Sequence, residues 1–292
     1  MNKTSKILII GDLLLDYYKF YESIRSDPAN THAPVISLLQ ERVVPGGAGN
    51  LTRNIRSLTN ACVKFSHAVE NQNIPKKIRY YINDIFSFRE DENDKIKYNN
   101  IIPKSFSKQI QKDDIVIISD YHKGTLTYDD VANIIAKCKK EGAISLVDTN
   151  FVKQKHYEVD YLKINLKTTN QYLGQWKSMW LPREKATLIS NNLKCNTILT
   201  LSEDGFVYYD RDGDFIYDKT YPAPVESFID SIGAGDSFLA GFASYMIEGK
   251  SVKESLNFAS ITSHISVCRC GTLDSINREE ADEKYNFFVN NV

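Results

Sequence analysis

No stretch of the 292-residue sequence holds the ~20 consecutive apolar residues that a bilayer-spanning helix needs. The apolar run within the N-terminal MNKTSKILII stops at Gly11-Asp12, too short for a signal peptide and without a small-residue cleavage site. It is expected to be the first strand of a cytoplasmic protein. Charge of one sign is missing too: 36 basic side chains stand against 37 acidic ones, a net charge of −1. A chain built to neutralise a phosphate backbone needs a basic excess or patch, so no nucleic acid is expected as partner, and no membrane either. Cysteine is scarce. Cys62, Cys138, Cys195, Cys268 and Cys270 form an odd set without a CxxC pair, which points to ordinary reduced thiols and against a disulfide framework or a zinc site. The histidines at 32, 67, 122, 156 and 264 show neither HxxxH nor HExxH spacing, so no protein-ligated metal is expected. Internal repeats and low-complexity linkers are also absent.

What is present is an alternation of short apolar runs with helical stripes. Strands rich in β-branched residues are predicted at Lys6–Ile10, Ile115–Ser119, Ile144–Val147, Leu162–Leu166 and Thr197–Leu201. Leu51, Ile55 and Leu58 fall on one helical face, and Val131, Ile134, Ile135 and Cys138 on another. Such alternation predicts an α/β fold with a mostly parallel sheet covered on both faces. From Gly233 onward the pattern is helical, near 234–248, 251–268 and 278–290. Residues 17–44 and 76–102 break the rhythm with strand-like segments and no helices, so a small sheet is expected to stand off the main body as a lid or a dimer contact. Asp210–Asp214 mimics a calcium loop, but its twelfth position is Tyr221, not Glu. Asp-Gly between aromatic runs predicts a hairpin instead.

Three motifs carry chemistry. Asp230-Ser231-Ile232-Gly233-Ala234-Gly235-Asp236-Ser237-Phe238 opens a helix. Glycines there let backbone N–H groups point at an anion, and the helix dipole adds positive potential. A carboxylate beside such a cradle repels the anion unless it has a task, and the task that fits is accepting a proton from a hydroxyl attacking phosphorus. Pro45-Gly46-Gly47-Ala48-Gly49-Asn50 permits close approach of a ligand, with Asn50 offering a donor and an acceptor to hydroxyl groups. No Gly-Lys-Ser/Thr follows, so it is not a Walker A loop. Ile10-Gly11-Asp12-Leu13-Leu14-Leu15-Asp16 ends the first strand with a carboxylate set against leucines, which implies a paired or ligand-facing group.

Together, GDxxxD, GGxxN about thirty residues later and a C-terminal DSxGAGD resemble the ribokinase-like (PfkB) carbohydrate kinases over nearly the whole chain. Ser119-Asp120-Tyr121-His122-Lys123-Gly124, Arg42–Asn50, Thr200–Gly205 and Cys270-Gly271-Thr272 are similar to segments of the kinase module of bacterial heptose-7-phosphate kinases. The resemblance implies one kinase domain over 1–292, with a three-layer α/β/α core, a β-sheet lid and often a homodimer formed through it. It implies Asp236 as catalytic base, with the amides of Gly233, Ala234 and Gly235 holding the transferring phosphoryl group. Asp12, Asp16, Gly46, Gly47, Asn50 and Asp120 would bind the sugar. Asn165, Ser202, Gly205, Asn257 and Gly271 would line the nucleotide site. ATP would be the phosphoryl donor, with Mg2+ arriving on it. Arg89 and Lys123, cations in or beside ligand-side motifs, are expected to meet a substrate phosphate.

The sequence departs from that pattern at several places. The family's Asn-x-x-Glu reads Asn165-Leu166-Lys167-Thr168, and an Asp-Pro-Lys step reads Asp148-Thr149-Asn150. The segment between Phe65 and Lys77 is short by about one βα unit, and the expected substrate loop reads Arg25–Pro34. No nucleotidyltransferase part follows, so that activity would need another protein. The sequence thus predicts a sugar or sugar-phosphate kinase, with a heptose 7-phosphate-like acceptor phosphorylated at its anomeric position. A hexose or nucleoside kinase, or a degenerate kinase binding ligands as a regulator, are the alternatives.

Overall fold

In Lys6–Gly11 and Ile115–Asp120, successive apolar side chains point to opposite faces of one sheet, and both faces are buried. That is why these strands read as continuous apolar runs and why helices must cover both sides. The structure, a computed structural model, describes residues 5–30, 32–67, 74–94, 104–174, 177, 179–218 and 227–291.

In chain order the strands are β1 (Lys6–Gly11), β2 (Leu13–Ser26), β3 (Pro34–Gly47), β4 (Cys62–Ser66), β5 (Lys76–Ile82), β6 (Ile85–Glu92), β7 (Ile115–Asp120), β8 (Ile144–Thr149), β9 (Tyr161–Asn165), β10 (Asn196–Thr200), β11 (Phe206–Tyr209) and β12 (Phe215–Asp218). The helices are α1 (Ala48–Leu58), α2 (Lys104–Ser107), α3 (Tyr128–Glu141), α4 (Leu166–Leu173), α5 (Pro182–Leu193), α6 (Ala234–Ile247), α7 (Val252–Val267) and α8 (Arg278–Asn291).

Eight strands form the main sheet in the order β12-β11-β10-β9-β8-β7-β1-β4. From β4 to β10 the pairs are parallel, and the β10–β11–β12 edge is antiparallel. The Asp-Gly hairpin is therefore present, joining β11 to β12. Ile7, Ile9, Ile115 and Ile117 pack with α1, α6 and α7 on one face, while Leu8, Ile10, Val116 and Ile118 pack with α3 and α5 on the other. Thr127 caps α3 in a capping box and Gly142 ends it in the left-handed conformation.

The two departures from the strand–helix rhythm form one four-stranded sheet, β3-β2-β5-β6, standing off the core. Only Asp12 separates β1 of the main sheet from β2 of the small one, and β3 runs straight into α1. Residues 95–102 of the second excursion, and 68–73 within the shortened segment, lie outside the described residues. The chain leaves β1 for β4 on one side and returns to β7 on the other, so the strand order reverses at β1. In parallel α/β sheets the crevice beyond the carboxyl ends at such a reversal is where ligands bind. No helix among the described residues is long and apolar enough to cross a membrane.

Candidate active site

At the carboxyl ends of β1 and β7–β9, residues far apart in sequence converge on the start of α6. Gly233 sits in the left-handed region at φ 81° just before this helix, where a side chain would meet Thr272 Cγ2 at 2.7 Å and Asn50 Nδ2 at 3.2 Å. A Cβ at Gly235 would stand 2.7 Å from Lys163 Nζ. The helix N-terminus thus combines first-turn amides, close-approach glycines and a lysine, a set that suits a polyphosphate. Gly233→Ala is expected to cost about 1–2 kcal/mol for the left-handed backbone alone, with the clashes added. Thermal unfolding checks this, and a melting temperature equal to wild type contradicts it.

Asp236 lies in the first turn of α6 and is buried. Asn50 Nδ2 donates to its Oδ2 at 2.8 Å, and the Tyr121 hydroxyl donates to its Oδ1. Burial pushes its carboxyl up to about 6, against the pull of these two donors. Asn50 is itself oriented, since its Oδ1 accepts from Arg53 at 3.4 Å and from Asn54 at 3.5 Å. A carboxylate ionised at neutral pH but only modestly below it in pKa is suited to general-base work.

Lys163 on β9 pairs with Asp148 on β8 at 3.1 Å, both buried or nearly so. Burial raises the Asp148 carboxyl, and Lys163 opposes that shift. Asn165 Oδ1 accepts from the Thr168 amide at 2.8 Å and caps α4, with Thr168 buried where the family pattern has a carboxylate. This donor set suits a metal held by nucleotide phosphates and water better than one held by the protein. Ser202 opens a short turn after β10 at φ 57°, closed by Gly205 at φ 91°. Thr200 is in register with Asn165, so Asn165, Ser202 and Gly205 share one end of the sheet. Asn257 is half-buried on α7.

The residues assigned to the sugar divide into two groups. Asp16 is engaged by protein partners: Arg79 donates to it at 2.8 Å and Thr272 Oγ1 at 3.1 Å. Gly46 lies against Asp16, where a Cβ would run into Oδ2, and Gly271 lies against Tyr18, where a Cβ would run into the hydroxyl. Gly271 thus packs against Tyr18 at the root of the small sheet. Gly47, at φ 56°, faces the Asp12 carbonyl. Asp12 is buried with both oxygens taken, by the amides of Lys123 and Thr125 at 3.1 Å each. It holds the 121–125 loop, and its carboxyl is raised by burial. Asp120 accepts from Lys155 and from the His122 amide at 3.0 Å, so it too is a loop anchor. Lys123 pairs with Asp94, and Arg89 with Asp91 at 2.8 Å.

Arg89 and Arg79 nonetheless line one cavity of about 960 Å3 beneath the small sheet, together with Phe20, Tyr81, Phe88 and, from the loop leading to α6, Asp230. Arg79 Nε is buried without a hydrogen-bond partner among the described residues. Sequence reasoning gave no role to Arg79, Lys163 or Tyr121. A signal existed for two of them: a lysine within YLKIN and an arginine within KKIRYYI sit in otherwise buried strands, where a charge must find a partner.

Known proteins resemble this chain in sequence and in fold. Residues 83–279, well over half of the chain, match the family described as pfkB family carbohydrate kinase. The "Bifunctional protein HldE" of Sulfurimonas denitrificans is 28% identical over 309 residues, covering 92% of this chain and 62% of that protein. The chain thus spans about three-fifths of that relative's length. Among solved structures, phosphofructokinase-2 from Escherichia coli in complex with substrates and products superposes with a TM-score of 0.72 at 15% identity, covering 97% of this chain and 99% of the other. Ribokinase from Thermotoga maritima gives a TM-score of 0.71 at 18% identity, with the same coverage. These two likenesses establish the ribokinase-like fold.

Proposed function

The chain belongs to the pfkB family of carbohydrate kinases, and from that premise we propose that it transfers the γ-phosphoryl group of ATP to a hydroxyl of a sugar phosphate. The observation that carries this reading is Asp236: a buried carboxylate at the mouth of an amide-lined helix start, held by Asn50 and Tyr121. The acceptor hydroxyl gives its proton to Asp236 as its oxygen bonds to the γ-phosphorus. The bond from that phosphorus to the β–γ bridging oxygen breaks, and ADP leaves. The amides of Gly233, Ala234 and Gly235, with Lys163 beside them, stabilise charge on the transferring group. Asn165, Ser202, Gly205 and Asn257 belong to the nucleotide side. A magnesium ion, which would be held by the nucleotide phosphates and water near Asn165, would supply neutralisation of phosphate charge.

A phosphorylated acceptor is favoured by the arginines of the cavity beneath the small sheet, with Arg79 offering an unused buried N–H. Arg89 serves the same group, and Lys123 lies in the 121–125 loop below. Asp16, Gly46, Gly47 and Asn50 shape the sugar side, with Asp12 and Asp120 acting through the loop they anchor. The similarity to bifunctional HldE proteins makes a heptose 7-phosphate, phosphorylated at the anomeric position, the first acceptor to try. Ile24, Leu38, Leu39 and Ile85 are exposed on the small sheet, which supports pairing of two copies there into a homodimer. The two sheets then act as one cytoplasmic kinase domain.

Assay of ATP consumption against a panel of sugar phosphates, hexoses and nucleosides tests this. Turnover is expected with a sugar phosphate. Tight ligand binding without turnover on any acceptor overturns it in favour of a regulator, a reading that Thr168 in place of a carboxylate supports. The pH profile follows from Asp236: its base form is lost as pH falls through about 6. Below that value kcat/KM is expected to drop about tenfold per pH unit, and a profile flat down to pH 5 contradicts the assignment.

A further inference from the structure

Tyr121 reaches Asp236 from a loop that is fixed on both sides. Upstream, buried Asp120 accepts the His122 amide at 3.0 Å and is paired with Lys155. Downstream, Asp12 accepts the amides of Lys123 and Thr125. The residue after Tyr121, His122, takes a left-handed backbone at φ 58°, uncommon for a residue with a side chain and tolerated where surroundings enforce it. Two buried carboxylates and one strained residue therefore converge on the segment that aims a single side chain, and its hydroxyl lands on Asp236.

We propose that Tyr121 is a positioning residue for the proton-accepting step, its hydroxyl fixing the plane of the Asp236 carboxylate and favouring its ionised form. The inference rests on the reading of Asp236 as the base. Tyr121 keeps its own proton throughout. Asn50 holds one carboxylate oxygen and Tyr121 the other, so the acceptor hydroxyl meets a carboxylate that cannot rotate. The charged and titratable groups facing this pair come from several elements. Asp148 on β8 and Lys163 on β9 face Asp236 with opposite effects. Asp148 and Asp16 face Tyr121, and Lys77 of β5 stands 5.8 Å from its ring centroid. None of these donates to the oxygen that Tyr121 holds. A hydrogen bond to a charged group is what keeps a buried carboxylate ionised against its loss of solvent.

The test is a carbon-13 titration of the full chain labelled at aspartate, with the Asp236 signal identified by its disappearance in Asp236→Asn. Wild type is expected to titrate near 6, and Tyr121→Phe about one pH unit higher. Difluorotyrosine at position 121, a stronger donor of nearly the same shape, is expected to move the midpoint downward, and it serves if the Phe variant does not fold. A midpoint unmoved in a folded variant overturns the role of Tyr121. Turnover of Asp236→Asn separates the two readings: if that variant is active, the base assignment falls, whereas an inactive Asp236→Asn with an unmoved Tyr121→Phe midpoint removes Tyr121 alone.

Discussion

Asp236→Asn is expected to lower turnover by roughly 10²–10⁴-fold, the usual contribution of a general base, while ATP binding stays measurable. Asn is nearly isosteric and keeps the start of α6, but it cannot take a proton from the acceptor. The γ-phosphoryl cradle of Gly233–Gly235 and the lysine beside it are untouched, so binding and chemistry separate. Initial rates with the best acceptor, set beside calorimetric titration with ATP, read both quantities. Near-normal turnover would sink the assignment. Loss of nucleotide binding together with turnover would mean that the variant damages the cradle and that the observed loss is not one of base chemistry.

Arg79→Met is expected to give the largest stability loss of any single change at the root of the small sheet. The Arg79–Asp16 pair has side chains only 4% and 5% exposed. Asp16 also accepts from Thr272, whose amide donates to the Tyr18 hydroxyl at 2.8 Å. Removing the guanidinium leaves an uncompensated buried carboxylate, a change that costs about 3–5 kcal/mol. With about 2–4 °C per kcal/mol for chains of this class, the melting temperature should fall by roughly 6–20 °C. The double variant Arg79→Met/Asp16→Leu removes both charges and should recover most of the loss, since a buried pair replaced by apolar groups is often near neutral. A single variant that melts like wild type, or a double variant as unstable as the single, contradicts this account.

Most of the architecture was legible in the sequence, because parallel strands buried on both faces leave unbroken β-branched runs such as Ile7–Ile10 and Ile115–Ile118. The helices after Gly233 were equally clear, as was the small sheet, since residues 17–44 and 76–102 alternate without helical stripes. The motif at Asp230–Asp236 pointed to the candidate site, for glycines at a helix start have a strong physical meaning. Less legible was which carboxylates are free. Asp12, Asp16 and Asp120 look alike as acidic residues at strand ends, yet each is engaged by partners distant in sequence: Lys123 and Thr125, Arg79 and Thr272, and Lys155 with the nearby His122. Local pattern carries no record of such pairing, which depends on how β5, β7 and the β8–β9 connection are brought together. Lys163 escaped notice for the same reason: its importance comes from standing against Gly235, 72 positions away by their numbers.

The passage from β1 to β2 through Asp12 alone has a mechanical consequence. The Ala48 amide donates to the Asp12 carbonyl at 3.0 Å, so two of the places where the chain enters or leaves the small sheet, at residues 12 and 47–48, are tied together at one spot. A tilt of the four-stranded sheet is expected to load that shared spot. Because the same Asp12 grips the amides of Lys123 and Thr125, the tilt also levers the segment bearing Tyr121. A movement of the small sheet about residue 12 would thus be felt at Tyr121 as well.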